Sequence, residues 1–202
     1  MNQNLTEIIF LLDRSSSMSG LESDTIGGFN SFVKNQSKLG QTLLTTVLFD
    51  DKYEILHNGV DAGKVTLTEK EYFIRGSTAL LDAIGKTILD VGFRLSHIEE
   101  DNRPGKVIFV ITTDGMENSS REFNYDKVNQ MISHQREVYH WDFIFMGANI
   151  DVAKESVKLG INPDLAFCYE ASEEGTDKMY REVCDVVCEM RIPDQFYNKK
   201  RR

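Results

Sequence analysis

Three short stretches carry oxygen-bearing side chains in patterns that suit hard-cation chemistry. The first is Asp13-Arg14-Ser15-Ser16-Ser17-Met18-Ser19-Gly20, where an acid is followed by hydroxyls two and four residues later. One anion and two neutral oxygens in a tight turn match Mg2+, which takes near-octahedral oxygens at about 2.0–2.1 Å and sheds its waters reluctantly. A single loop of this kind fills only part of such a shell, and a Ser-rich turn also serves as a helix cap. The second stretch, Thr112-Thr113-Asp114-Gly115, again ends in a carboxylate; Asp-Gly is also ordinary turn chemistry. The third, Arg75-Gly76-Ser77-Thr78-Ala79-Leu80, places hydroxyls just before a helix, where capping alone could account for them. Each stretch is ambiguous by itself. Together, at one edge of one sheet, they would carry far more weight.

The elements around them predict that meeting. Glu7 to Leu12 and Val107 to Ile111 are short continuous apolar runs, the pattern of strands buried on both faces. Ile26, Phe29, Phe32 and Val33 share one side of a helix ending near Gly40. Leu43 to Phe49 is a strand. Only Asp50-Asp51-Lys52 separates it from Tyr53-Glu54-Ile55-Leu56, too little for a parallel crossover, so these two strands form an antiparallel hairpin. Leu81, Ile84, Ile88, Val91 and Leu95 step by three and four along a helix. Further on come a helix through Val128 and Ile132, a strand from Trp141 to Met146, a short helix from Val152 stopped by Gly160, a weak strand at Leu165-Ala166-Phe167, and a final helix striped by Met179, Val183 and Val187. Alternating strands and helices imply an α/β fold: a doubly wound, mostly parallel sheet with one antiparallel edge strand and helices on both faces. Such sheets bind ligands beyond the carboxyl ends of their strands, where strand order reverses. The loops after Leu12 and Ile111 lie there.

Composition removes several alternatives. The 202 residues suit one α/β domain, read here as residues 1–192 followed by a basic tail over 193–202. A hydrophobic fraction of 41% excludes a disordered chain. The net charge of −9 sets the chain against nucleic-acid phosphates and anionic lipid, so neither is an expected partner. Cys168, Cys184 and Cys188 form no CxxC pair and the four histidines are scattered, which argues against structural zinc. The apolar run at Ile8–Leu12 is too short for a signal-peptide core or a membrane span, and a reducing cytoplasm is the expected compartment.

Taken in order and at their separations, Asp13-x-Ser15-x-Ser17, Gly-Ser-Thr ending at Thr78, and Thr-Asp-Gly containing Asp114 resemble the three-part motif of von Willebrand factor type A domains. The resemblance covers roughly residues 5–190. It implies a Rossmann-like A-domain fold and a metal-ion-dependent adhesion site, with Ser15, Ser17 and Thr78 as hydroxyl ligands and Asp13 and Asp114 binding directly or through water. The metal implied is Mg2+, with Mn2+ as an alternative, and the implied activity is capture of a partner protein's Asp or Glu without catalysis. The wording Gly76-Ser77-Thr78-Ala79-Leu80-Leu81-Asp82-Ala83 and Met146-Gly147-Ala148-Asn149 resembles stand-alone bacterial cytosolic members. Such members are often linked with ATPase or stress-response machinery.

The competing enzyme reading is a Mg2+-dependent phosphatase or phosphotransferase, with Asp13 as nucleophile, Thr78 on the phosphate, and Asp114 with Glu117 as metal acids. Haloacid-dehalogenase-type chemistry needs a second acid two residues after the first, and Ser15 stands there. A purely structural module with a vestigial site is the third class. Gly85-Lys86-Thr87 lies inside the striped helix and lacks the glycine of a nucleotide-binding loop. Phe10, Phe109, Trp141, Phe143 and Phe145 read as core. Glu22, Asp24, Asp50 and Asp51 read as solvated loop charge, with Glu22 and Asp24 able to flank the first loop.

Overall fold

The computed structural model describes residues 1–191; the basic tail and the 192/193 domain boundary lie outside the described residues. Strands β1 (Asn2–Asp13), β2 (Gln41–Phe49), β3 (Tyr53–Asp61), β4 (Pro104–Thr113), β5 (Asp142–Gly147) and β6 (Ala166–Cys168) form one sheet in the order β3-β2-β1-β4-β5-β6. Only the β2–β3 pairing is antiparallel. The hairpin expected from the three-residue connection is therefore the sheet edge. Helices α1 (Glu22–Ser37), α2 (Leu80–Ser96), α3 (Tyr125–Tyr139), α4 (Val152–Leu159) and α5 (Glu173–Met190) connect and cover the strands.

Side-chain alternation along the strands divides the interior in two. Ile9, Leu11, Val47, Phe109, Ile111, Phe143 and Phe145 face α2, α3 and α4. Ile8, Phe10, Leu12, Leu44, Ile108, Val110 and Ile144 face α1 and α5. Both faces of the central strands are thus dry, which is why they read as unbroken apolar runs rather than as alternating ones. The aromatic residues pack as core: Phe10 stands edge-on to Phe29 and Phe32, and Phe109 stacks with Phe143 and Trp141.

β1 begins at Asn2, five residues before its apolar run. Backbone pairing carries this polar extension, since Asn2 pairs with Pro104 and its N–H donates to the Arg103 carbonyl, while Gln3 and Asn4 stay exposed. Periodicity cannot report a strand segment whose side chains are not buried. No helix among the described residues is long and apolar enough to cross a membrane.

A charge is also buried within the sheet. Glu7 on β1 is fully buried and ion-paired with Arg94 from the last turn of α2. Its Oε1 also accepts from Thr45 Oγ1 at 2.7 Å. Removing one member of a buried pair strands the other, at a cost of about 3–5 kcal/mol. Arg94→Met should lose stability on that scale in urea unfolding, and adding Glu7→Gln should restore part of it. Equal stability of the single and double variants would show that the pair does not hold this end of the sheet.

Candidate functional site

β1 and β4 are parallel neighbours, and the chain passes from β1 to β2 on one side and returns to β4 on the other. Strand order reverses between them, so their carboxyl ends open a crevice into which the Asp13 and Asp114 turns both project. Asp13 ends β1 fully buried. Its Oδ1 accepts from the Ser15 N–H at 2.7 Å, an Asx turn that folds the Ser-rich loop back over the strand. Its Oδ2 accepts from Thr113 Oγ1 at 2.6 Å, which ties the tips of β1 and β4 together. Tyr72 Oη donates to the Asp13 carbonyl at 2.6 Å. Burial outweighs these hydrogen bonds and pushes the Asp13 carboxyl up to about 6.

The loop carrying Thr78 is laced onto the first loop. Gly76, at φ +71°, turns its carbonyl to accept from the Ser16 N–H at 3.1 Å and Ser16 Oγ at 2.8 Å. The Arg75 N–H donates to the Arg14 carbonyl at 2.9 Å. On the far side, the Thr78 N–H donates to Asn118 Oδ1, while the Thr78 carbonyl accepts from the N–H groups of Asn118 and Ser119.

These lacings produce a continuous row of oxygens. Thr78 Oγ1 donates to Ser15 Oγ at 3.0 Å, Ser15 Oγ lies 3.1 Å from Ser17 Oγ, and Ser17 Oγ donates to Asp114 Oδ1 at 2.5 Å. Asp13, Ser15, Thr78 and Asp114 are buried and Ser17 is exposed, so the row reaches solvent at Ser17. Gly115 leaves room for it: a Cβ there would stand 3.0 Å from Ser17 Oγ. All five residues expected from the sequence therefore converge from three separate loops.

The group fits a divalent cation. Asp114 Oδ2 is buried without a hydrogen-bond partner, and burial raises the Asp114 carboxyl above its ordinary value. An orphaned buried acceptor of this kind costs about 1–3 kcal/mol. Each hydroxyl of the row also keeps a lone pair after donating its proton. Among the described residues no cluster of three His, Cys, Asp or Glu side chains could hold a metal. Any cation here would thus rest on two carboxylates and three neutral hydroxyls.

Sequence reasoning missed the ion cluster beside this row. Asp50, expected to be solvated, is fully buried at the end of β2. Its Oδ2 accepts from Arg14 Nε at 2.9 Å and from Arg75 Nε at 2.6 Å. Burial of Arg14 itself forces this arrangement, because a guanidinium withdrawn from water needs a carboxylate partner. The available signal was an arginine inside an otherwise buried Asp-x-Ser turn. Glu117, a metal acid in the phosphotransferase reading, is engaged otherwise. Its two oxygens accept from the N–H groups of Leu81, Ser119 and Ser120 and from Ser120 Oγ, which ties the Asp114 loop to the start of α2. Asp82 adds three acceptor contacts to the N–H groups of Arg121, Glu122 and Phe123. Glu22 and Asp24 are half-buried near the first loop, where Glu22 accepts from the Gly20 N–H and Asp24 lines a surface depression with Ser17.

No family model and no curated protein matches this sequence. Solved structures do. The von Willebrand factor domain of the type V pili tip protein Mfa5 from Porphyromonas gingivalis superposes with a TM-score of 0.68 at 10% identity, covering 93% of this chain and 96% of that one. Manganese-loaded TRAP protein from Plasmodium vivax gives 0.62 at 16% identity over 88% and 72% of the two chains. Proximal thread matrix protein 1 from the mussel byssus, with a zinc-occupied MIDAS motif, gives 0.60 at 17% identity over 93% of this chain. The chain spans about half, 47%, of the length of that mussel protein. With the sheet order, the antiparallel edge and the crevice at the β1–β4 reversal, these superpositions identify the fold of this chain as that of the von Willebrand factor type A domain.

Proposed function

We propose that this chain is a divalent-metal-dependent protein-binding module, with Mg2+ or Mn2+ held by Asp13, Ser15, Ser17, Thr78 and Asp114. The observation that carries the reading is the orphaned, buried Oδ2 of Asp114 at the end of a row of three hydroxyls. Zinc and manganese bound by two proteins of the same fold support a divalent cation at this position. When bound, the ion would be held by two carboxylates and three neutral hydroxyls, five donors that leave one position of a six-coordinate shell open. A carboxylate from a partner protein would then complete the shell at the exposed end of the row, beside Ser17. The expected partner presents an Asp or Glu, and an ATPase or a stress-response component in the cytoplasm is the class the sequence resemblance suggests. The chain itself binds without catalysis. The phosphotransferase reading has less support, because Ser15 occupies the place of the second acid and Glu117 is committed to backbone N–H groups.

Equilibrium titration with Mn2+ followed by electron paramagnetic resonance tests the metal directly. Thr78→Ala and Asp114→Ala should each weaken uptake at least tenfold. Capture of a partner from native lysate should disappear with EDTA and with Asp114→Ala alike. Capture indifferent to both would sink the bridge, and Mg2+-dependent hydrolysis of an aryl phosphate that is lost in Asp13→Asn would favour the enzyme.

A second test uses pH. The folded Asp13 carboxyl sits near 6 against an ordinary 3.8, so between those values the metal-free folded chain holds more protons than the unfolded chain. Its contribution to stability is complete below pH about 4 and is lost as pH rises through 6, by about 3 kcal/mol at 1.36 kcal/mol per pH unit. Urea unfolding in EDTA at pH 4.5 and pH 7 should show about 2 kcal/mol of this fall in the parent and a flatter profile in Asp13→Asn. Parallel profiles would mean that Asp13 is not buried as an acid.

A further inference from the structure

We infer that Asp50 is a positioning residue for the candidate metal site, coupling the Asp13–Ser17 loop to the Thr78 loop through two guanidinium groups. The inference rests on the metal reading above and extends it to residues that hold no cation themselves.

Three attachments of Asp50 converge on the two hydroxyl-bearing loops, and a fourth anchors it to the β2–β3 turn. Its Oδ2 accepts from Arg14 Nε, and Arg14 lies between Asp13 and Ser15 in the chain. The same oxygen accepts from Arg75 Nε, three residues before Thr78. Its carbonyl accepts from the Ala79 N–H at 2.9 Å, immediately after Thr78. Its Oδ1 accepts from the Lys52 N–H at 2.7 Å, which fixes the carboxylate on the β2–β3 turn. Outside these contacts, Arg14 Nη2 donates to Glu54 Oε2 on β3 at 2.7 Å. The Phe73 ring lies 5.4 Å and 5.3 Å from the two guanidinium carbons, within cation–π range of both.

Two arginines and two acids leave this cluster neutral overall. The separation between Ser15 Oγ and Thr78 Oγ1, on which a shared cation depends, is set by loops whose flanking residues meet on one carboxylate. A displacement of about 1 Å at either loop would take a hydroxyl out of coordination range, since Mg2+ tolerates little departure from about 2.0–2.1 Å.

Charge and position make opposite predictions, and this separates them. Arg75→Gln removes a positive charge near the site. If Asp50 acted only by masking positive charge, this variant would bind Mn2+ more tightly. If Asp50 positions the loops, Arg75→Gln weakens Mn2+ uptake at least threefold and Asp50→Asn at least tenfold. Arg75 is one-third exposed, so its variant keeps the buried Arg14–Asp50 pair even where Asp50→Asn fails to fold. Amide hydrogen exchange of the metal-free protein should quicken at Ser16 and Ala79 in Arg75→Gln and stay unchanged at Ile9 and Phe10. Arg94→Met, which breaks the ion pair at the other end of the sheet, provides the comparison: it should lower stability and leave the Mn2+ dissociation constant within twofold of the parent. Variants of Asp50 and Arg75 that match the parent overturn the inference, as does an Arg94→Met effect of equal size or tighter binding by Arg75→Gln. A parent that takes up no Mn2+ overturns the metal reading, and this inference with it.

Discussion

The fold places a carboxylate where water cannot reach it, at the point where strand order turns. Asp13 closes the strand buried on both faces at the centre of the sheet, and the parallel neighbour β4 ends beside it. A lone carboxylate there would favour its neutral form, as the raised Asp13 carboxyl indicates. Thr113 from one strand tip and the Ser15 N–H from the first loop donate to that carboxylate, and Tyr72 holds the Asp13 main-chain carbonyl. The Ser-rich loop takes its course from the Asx turn at Asp13. Once it is folded back, Ser15 meets Thr78 and Ser17 meets Asp114.

The donor set bears on the proposal that the crevice acts between molecules. Five donors leave one position of a six-coordinate shell unfilled. Here three of the five candidate donors are hydroxyls, held by one another rather than by solvent. Glu117 is close in sequence to Asp114, yet four hydrogen-bond donors occupy it. Its carboxylate is thereby directed to backbone N–H groups and Ser120 rather than into the row.

The fold was legible wherever burial and spacing were strong together. Val107 to Ile111 and Glu7 to Leu12 announce two-faced strands, and a three-residue connection can only make a hairpin. The five candidate ligands were legible because their oxygen types recur at fixed spacing next to those strands. Segments held by the backbone were not: the start of β1 shows no apolar pattern, and β6 lies one residue later than its apolar run because its pairing with β5, not its side chains, sets its place. Asp50 was misread for a related reason. An acid between two strands is usually solvated, and only the burial of Arg14, a property of the tertiary structure, draws it inward.

The two buried ion clusters of the sheet differ in a way that bears on their roles. At the amino end of the strands, Glu7 Oε2 and Arg94 Nε lack partners, so the pair is incompletely satisfied. At the carboxyl end, no side-chain polar atom of Arg14 or Asp50 is left in that condition, and Arg14 reaches Asp50, Glu54 and the Glu71 carbonyl with three different nitrogens. Buried ion pairs bring little net stability, since desolvation offsets attraction, but a fully connected one holds its members in a single geometry. Stability alone gives no reason for the better-connected cluster to lie at the loop end, where the strands finish. A crevice whose three loops must present oxygens at fixed separations does give one.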